Sequence, residues 1–415
     1  MLSDPGQLHR FLLEIGRALS LAGTAVSETQ ERLSRIAAAN GAEDARIVVL
    51  PTALMISVRE AHETTIDAIP QASGALRLDQ ISVLYEVVKG AERGELDLVD
   101  GLAQLHAIRT MSPRYGPIVT VLGYSAMIAG LCLILRPTPL DVVISTIFGA
   151  FVGTLVLLCR GRPTLRVLVP IIAAVIVSAL TFEAVQHDIL DPGLRTLIAP
   201  LVTFLPGGVL TTATVELATG EMVAGASRLV FGFLQLLLLA FGIVAGAELA
   251  GLPRNIVLQD TYTMVLGPWA PWLGVLIFGV AVSFYFSAPR GSLLWLLLVL
   301  LTAWVGQLVG EALVGANTSG FFGAIAMTPV ALAVAEVPGG PPSQVTFLPA
   351  FWLLVPGALG LVGVTQILGD PAIAGAGDLL QPLVAIVAIA LGVLCGTSIY
   401  RGIALAVQRR PGRRR

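Results

Sequence analysis

Long stretches without a charged residue constrain this chain more than any other feature. Up to Tyr115 nearly every helix-length window carries several Asp, Glu, Lys or Arg residues, whereas beyond it long apolar windows carry none. Only 13% of all residues are charged, against about 25% in an average soluble domain. A helix that crosses a bilayer needs about 20 mostly apolar residues. We therefore predict a soluble domain over residues 1–117, followed by a polytopic α-helical membrane domain.

The first 117 residues predict an α+β domain. Ser27-Glu28-Thr29-Gln30 resembles a capping box at the start of a second helix. The first residues mix charged with apolar side chains and contain no continuous signal-peptide core, which favours a cytoplasmic location. Apolar periodicity predicts helices near 8–19, 76–88 and 96–111, and β-branched composition predicts two short strands at 46–51 and 52–58.

The membrane domain contains two groups of five predicted spans. The first repeat covers residues 118–250, and the second covers 251–415 and includes a basic tail. Because five is an odd number, the two groups cross the membrane in opposite directions. The predicted spans are 118–135, 140–158, 165–186, 194–215 and 222–247, then 269–287, 292–313, 319–336, 345–367 and 380–405.

The distribution of arginine predicts that both termini are cytoplasmic. Cytoplasmic loops of membrane proteins carry an excess of Lys and Arg. Here the connection at 159–166, the connection at Arg290 and the tail at 409–415 are basic. The segments assigned to the outside carry mostly acidic residues: Asp141, Asp188, Asp191, Asp260, Asp370 and Asp378.

A Pro-Gly pair recurs in the fourth predicted span of each group. LVTFLPGGVL (201–210) aligns with FWLLVPGALG (351–360), so that Pro206 and Pro356 are 150 positions apart, as are Gly207 and Gly357. Proline removes a backbone donor and disturbs the preceding turn. Unpaired backbone groups at membrane depth must face protein or a water-filled cavity. Matched interruptions of this kind mark substrate sites in transporters with inverted repeats, although a simple kink remains the alternative.

Polar residues after the first interruption are candidates for substrate and proton binding. We take Pro206, Gly207, Gly208, Thr211, Thr212, Pro356, Gly357 and Gln307 as substrate-binding candidates, and Glu216 and Glu221 as proton-coupling candidates. An acid within a membrane segment is a functional candidate by default. Glu216 could equally be a solvated residue at the cytoplasmic end of its helix, and Glu221 a first-turn residue. Arg228 is interpreted as reaching towards the interface.

Nothing in the composition favours a bound cofactor, a metal or nucleic acid. The three cysteines lie in apolar segments, where a thiol behaves as a small hydrophobic group. The histidines show no ligand spacing, and no basic aromatic patch is present. The expected partners are a small-molecule substrate, protons and the lipid bilayer; whether the chain forms a homo-oligomer is left open.

The chain resembles the threonine/serine exporter family of bacterial inner membranes. The similarity is strongest in LPGGVLTTATVELATGEMVAGASRL (205–229). Three further stretches support it: LEIGRALSLAGTAVSETQERLSRIAAANG (13–41), GFFGAIAMTPVALAVA (320–335) and FLPAFWLLVPGALGL (347–361).

The resemblance implies export of threonine and serine driven by the proton motive force. By motif match it assigns function to Pro206, Gly207, Thr211, Thr212, Glu216 and Glu221. The family often has Asn where Thr212 stands and Asp where Glu216 stands, so substrate preference does not carry over with the motif.

Two other classes of function remain as alternatives. A membrane-anchored enzyme would need a catalytic group in the amino-terminal domain, but no nucleophile–base pattern or metal spacing is evident. A sensor would need the same domain to signal to a partner, and matched helix interruptions are not needed for anchoring alone. We therefore expect a secondary transporter, not an enzyme.

Overall fold

A computed structural model describes residues 5–59, 64–70, 75–135, 137–190, 195–251, 266–315, 318–354 and 376–408. The chain forms two compact units. The first unit draws on residues up to 114 together with 212–229 and 287–289. The second unit draws on 115–211, 230–286 and the chain from 290 onward. Residues that are far apart in sequence therefore meet inside the first unit.

The first unit combines four helices with one small sheet. The sheet is antiparallel in the order β1-β2-β3, with Val49 opposite Leu54 and Arg59 opposite Thr64. Its elements are α1 (Pro5–Leu21), α2 (Val26–Ala39), β1 (Arg46–Val49), β2 (Ala53–Arg59), β3 (Thr64–Pro70), α3 (Leu78–Glu92) and α4 (Leu98–Thr110).

The core of this unit lies between α1, α2 and the sheet. Phe11 and Ile15 of α1 are fully buried, as are Leu33 of α2 and Leu54 of β2. Gly16 permits the close approach, since a Cβ there would lie 3.1 Å from Leu33 Cδ1. The apolar periodicity of residues 8–19 thus corresponds to the buried face of α1.

Two local predictions for this region were incomplete or wrong. The third strand, Thr64–Pro70, was not predicted, although its β-branched residues suit a strand and its terminal proline suits a strand end. The capping box at Ser27–Gln30 is wrong. Helix α2 begins at Val26, and its N-cap Ala25 has no side chain that can cap.

Apolar helices make up the second unit, with α9 and α10 also contributing residues to the first. Pro117, Pro139 and Pro163 each open a helix, where a missing N–H costs nothing. The helices are α5 (Pro117–Ile134), α6 (Pro139–Leu158), α7 (Pro163–Gln186), α8 (Arg195–Leu201), α9 (Gly207–Ala218), α10 (Met222–Leu249), α11 (Ala270–Tyr285), α12 (Leu293–Val314), α13 (Ser319–Glu336), α14 (Ser343–Leu354) and α15 (Ala376–Gln408).

Within the described chain, seven helices are long and apolar enough to cross a membrane, and a bent pair brings the number to eight. Two further apolar helices, Ala270–Tyr285 and Ser343–Leu354, are shorter. The polytopic helical class is confirmed, whereas ten spans in two inverted halves stay a prediction. The second half of the predicted span 345–367 lies outside the described residues.

Glycines allow helix pairs in this unit to approach closely. A Cβ at Gly130 of α5 would lie 2.8 Å from the Gly274 carbonyl oxygen of α11. Gly242 of α10 meets α7 in the same way, and Gly392 of α15 meets α13. Small residues at helix contacts are typical of membrane proteins, where association depends on close packing.

Candidate functional site

The chain interrupts its helix where the Pro-Gly-Gly sequence predicts. Helix α8 ends at Leu201, a 3-10 turn covers Val202–Phe204, and α9 starts at Gly207. The two helical parts, Thr196–Phe204 and Gly207–Ala218, are bent by 58°. Leu205 is extended, with φ −70° and ψ 127°, as expected for a residue that precedes proline. The predicted interruption at Pro206 is confirmed.

The interruption leaves backbone donors without a helical acceptor at the start of α9. The Leu210 N–H donates to the Pro206 carbonyl at 2.9 Å and makes an early hydrogen bond of the helix. The amides of Gly207, Gly208 and Val209 precede it, so they have no acceptor within the helix. Amides at a helix amino terminus, together with the helix dipole, favour a carboxylate or another anion.

A buried tyrosine satisfies a carbonyl on the other side of the interruption. Tyr124 of α5 is fully buried. Its hydroxyl donates to the Pro200 carbonyl at 2.8 Å and lies 2.8 Å from Thr203 Oγ1. Unpaired carbonyls at membrane depth are costly, so Tyr124 stabilises the interrupted geometry. Sequence reasoning missed this residue, because the only signal was one tyrosine inside an apolar span.

The two predicted threonines differ in their hydrogen bonds. Thr211 is fully buried, and its hydroxyl donates to the Gly207 carbonyl of its own helix at 2.9 Å. Thr212 is half-buried, and its hydroxyl has no hydrogen-bond partner among the described residues. Of the two hydroxyls, that of Thr212 is the one available to a ligand.

Glu216 lies in the last turn of α9 and is buried inside the first unit. Its exposed fraction is 0%, so the interpretation as a solvated helix end is wrong. The Val26 N–H at the start of α2 donates to Glu216 Oε1 at 3.0 Å. Glu216 thus supplies, from 190 positions away in sequence, the acceptor that Ala25 cannot give to α2. A carboxylate in this position is stabilised by the helix dipole.

Arg228 of α10 is the cationic partner of Glu216. Its Nε lies 3.1 Å from Glu216 Oε2, and its side chain is 22% exposed. The two atoms do not have hydrogen-bond geometry, so the contact is a close ion pair. Arg228 therefore does not simply reach towards the interface. The sequence suggested the interface because it does not show that α9 and the start of α10 lie close to α2.

A network of side chains holds the amino terminus of α2 in place. Arg32 pairs with Glu28 at 2.9 Å and with Glu92 of α3 at 3.2 Å, and it lies over the Tyr85 ring, 4.9 Å from its centroid. The Tyr85 hydroxyl lies 3.2 Å from Thr24 Oγ1. Burial raises the pKa of Tyr85, and the nearby Glu28 carboxylate raises it further. The Val26 amide, which donates to Glu216, therefore lies in a segment that side-chain contacts stabilise.

Of the remaining candidates, Glu221 adjoins Glu216, since its N–H donates to the Glu216 carbonyl at 2.8 Å. Glu221 is half-buried and directly precedes α10, as expected for an acid near a helix start. Gln307 lies on α12. Pro356 and Gly357 lie outside the described residues. Glu216 is nine residues beyond Gly207, or about 14 Å along α9, so the interruption and the carboxylate are two places on one helix.

A second buried carboxylate contacts the first half of the interrupted helix. Asp141 was assigned to an outer loop, but it lies in the first turn of α6 and is 6% exposed. Its Oδ1 accepts a hydrogen bond from Thr196 Oγ1 of α8 at 2.7 Å, and its Oδ2 accepts from the amide and hydroxyl of Thr138. Thr138 and Asp141 form a capping box, which the pattern T-x-x-D could have indicated.

No group of three or more His, Cys, Asp or Glu side chains is placed to hold a metal ion within the described ranges.

Comparison with known proteins identifies the family. The sequence model described as "Putative threonine/serine exporter" matches residues 10–250, more than half of the chain. The chain belongs to this family. The match to the threonine/serine exporter family covers the amino-terminal segment, the interrupted helix and α10, and therefore includes Glu216 and Arg228.

Several similar curated proteins come from fungi. "Pheromone-regulated membrane protein 10" of Saccharomyces cerevisiae is 25% identical over 315 residues, covering 73% of this chain and 40% of that protein. The protein of the same name in Debaryomyces hansenii is 24% identical, covering 63% of this chain and 27% of its own. An uncharacterized protein of Schizosaccharomyces pombe is 24% identical, covering 60% of this chain and 34% of that protein. The chain thus spans less than half the length of these relatives. No solved structure matches it.

Proposed function

We propose that this protein is a secondary exporter of threonine and serine across the bacterial inner membrane, driven by the proton motive force. Both termini are then cytoplasmic. The observation that carries the proposal is the interrupted helix at Pro206, whose free amides at Gly207 and Gly208 suit the carboxylate of an amino acid. The Thr212 hydroxyl lies one turn further along α9 and is available to the polar part of the substrate.

We further propose that the membrane domain consists of two inverted repeats. The contact of Gly242 with α7 supports this, since a Cβ there would lie 2.7 Å from Ala174 Cβ. A Cβ at Gly392 would lie 2.8 Å from Ala324 Cβ. Positions 242 and 392 differ by 150, and so do positions 174 and 324. The separation is the same as that of the two Pro-Gly pairs.

A second pair of contacts repeats at the same separation. Gly246 of α10 packs against Ser178 of α7, and Gly396 of α15 packs against Thr328 of α13. Each hydroxyl donates to the carbonyl four residues earlier, at 2.6 Å for Ser178 and 2.7 Å for Thr328. Two helix pairs with matching small residues and matching hydrogen bonds favour a duplicated five-helix unit, as in transporters with a central substrate site.

In this proposal Glu216 couples transport to protons. As a carboxylate it pairs with Arg228 and accepts from the Val26 amide. A proton on Glu216 removes the attraction to Arg228 and weakens the acceptor for Val26. The end of α9 is then less strongly held, and α9 begins at the proposed substrate site. Proton entry and amino-acid exit thus act on two ends of one short helix. Glu221, five residues later, is the second acid of the proposed coupling region.

Flux from proteoliposomes tests the proposal. Vesicles containing the purified full chain are loaded with radiolabelled threonine, and efflux is measured with and without an imposed pH gradient. Gradient-dependent efflux that is lost in Glu216→Gln supports both the exporter and its coupling group. Efflux with equal gradient dependence in both proteins retains the exporter and removes Glu216 from coupling. Folded protein that moves neither threonine nor serine contradicts the exporter, and a search for ligand-dependent partners of the amino-terminal segment would follow.

A further inference from the structure

Trp304 and Gln307 of α12 carry buried polar atoms that have no partner. Trp304 is 8% exposed, and its Nε1–H finds no acceptor among the described residues. Gln307 is half-buried, and its Oε1, which is itself buried, finds no donor. A buried indole N–H usually has a hydrogen-bond partner, and a buried polar atom without one costs free energy. A donor and an acceptor are thus left open three residues apart on one helix.

The position of this pair does not suit an interfacial anchor. Tryptophans of membrane proteins concentrate at the two interfaces, but Trp304 lies near the middle of α12, which covers Leu293–Val314. Residues three apart on a helix lie on neighbouring parts of one face. Gln307 also adjoins α13, since a Cβ at Gly323 would lie 3.5 Å from Gln307 Cβ and would overlap Leu354 of α14. Helix α14 ends there, two residues before Pro356.

The corresponding pair in the first half of the chain is arranged differently. The sequence AFVGTLV (150–156) in α6 resembles AWVGQLV (303–309) in α12, with Phe151 at the place of Trp304 and Thr154 at that of Gln307. The separation is 153 positions here, three more than between the other matched positions. Phe151 is 36% exposed, and the Thr154 hydroxyl donates to the Ala150 carbonyl at 2.7 Å. Only the second copy buries an open donor and acceptor, so this feature does not follow from the shared helix pattern.

We propose that Trp304 and Gln307 bind the side-chain hydroxyl of the transported amino acid. The Trp304 Nε1–H donates to the hydroxyl oxygen, and the hydroxyl proton is donated to Gln307 Oε1. This assignment rests on the proposed export function and defines the substrate class as small β-hydroxy-α-amino acids. Analogues without the hydroxyl leave both groups unpaired, which is how a buried polar site rejects a substrate of similar shape.

The test compares threonine with valine, which has nearly the same shape but no hydroxyl, and serine with alanine. Initial flux is measured as kcat/KM in proteoliposomes for the unaltered protein, Trp304→Phe, Gln307→Leu and the control Trp295→Phe. Trp295 is a half-buried tryptophan near the start of the same helix. We expect the unaltered protein and the control to prefer threonine by about 100-fold or more. In Trp304→Phe and in Gln307→Leu the threonine-to-valine ratio of kcat/KM should fall about tenfold, since losing one hydrogen bond of about 1.4 kcal/mol lowers the ratio by that factor.

A second readout does not depend on transport. Threonine and valine are added to each purified protein in detergent, and the rise in thermal unfolding temperature is measured, because a ligand that binds the folded state stabilises it. Stabilisation by threonine but not valine, lost in Trp304→Phe and Gln307→Leu, supports the assignment even if no flux is seen, in which case the export proposal alone fails. An unchanged threonine-to-valine ratio in both variants overturns the assignment and leaves export intact. Equal kcat/KM and equal stabilisation for threonine and valine in the unaltered protein also overturn the assignment, because Trp304 and Gln307 then bind only water.

Discussion

The ion pair of Glu216 and Arg228 gives a prediction whose magnitude can be worked out from the structure. Glu216→Gln keeps the Oε1 acceptor for the Val26 amide but removes the charge that faces Arg228. Removing one partner of a fully buried pair costs about 3–5 kcal/mol. Because Arg228 is 22% exposed, solvent lowers that cost, and we expect about 2 kcal/mol. Weakening a charge-assisted hydrogen bond to a neutral one adds about 1 kcal/mol.

A double-mutant cycle separates the ion pair from other effects. We expect Glu216→Gln and Arg228→Met each to lower the free energy of unfolding by about 2–3 kcal/mol. The double variant should recover about 2 kcal/mol relative to the sum, because it leaves no buried charge uncompensated. Unfolding is followed by circular dichroism during titration of mixed micelles with a denaturing detergent. Glu221→Gln removes a like charge next to Glu216 but breaks no ion pair within the described chain, so it should change stability by less than about 0.5 kcal/mol.

Hydrogen exchange at residues 24–30 reports the local part of the same prediction. Glu216→Ala removes the acceptor for the Val26 amide, so the first turn of α2 should exchange faster, whereas Glu216→Gln should keep most of its protection. A coupling energy below about 0.5 kcal/mol, together with unchanged exchange in Glu216→Ala, would refute the view that this carboxylate holds α2.

Four other substitutions test the surroundings of the interrupted helix. Tyr124→Phe leaves the Pro200 carbonyl unpaired and should cost about 1–3 kcal/mol in the same detergent titration; no loss would mean that water replaces the hydroxyl. Asp141→Asn weakens three accepted hydrogen bonds and should cost about 1–3 kcal/mol, with an unchanged midpoint arguing against a structural role. Gly232→Ala should cost about 1–3 kcal/mol because its Cβ would lie 2.6 Å from Leu210 Cδ2. The Cβ added in Gly208→Ala would have no atom within 4 Å, so this change should be neutral or stabilising by up to about 1 kcal/mol. A lower unfolding midpoint for Gly208→Ala than for Gly232→Ala would contradict this packing.

Features with a local cause could be predicted from the sequence. Pro206 interrupts the helix because of its own ring, and the residue before it becomes extended for the same steric reason. Among the described residues, the apolar windows beyond Tyr115 form helices near the predicted positions, because length and hydropathy are properties of each segment. The family likewise followed from a continuous motif around Glu216.

Features that depend on distant residues could not be predicted. The Val26 amide at the start of α2 donates to a carboxylate at position 216, whereas local capping rules pointed to Ser27. The hydrogen bond from Thr196 to Asp141 could not be predicted, because nothing near Asp141 in sequence indicates Thr196 as its donor. Trp304 was not distinguished from other apolar residues of its span, because an unsatisfied indole N–H is a property of the packed structure.

The contact between Val26 and Glu216 also affects the order in which the chain can mature during synthesis. Synthesis proceeds at about 5–20 residues per second, so the 190 positions between the two residues take about 10–40 s to make. Throughout that time the Val26 amide lacks its Glu216 acceptor. The amino-terminal segment therefore reaches its final form only after the chain around the interrupted helix has been made, and a fragment that ends before residue 216 lacks this stabilising contact permanently.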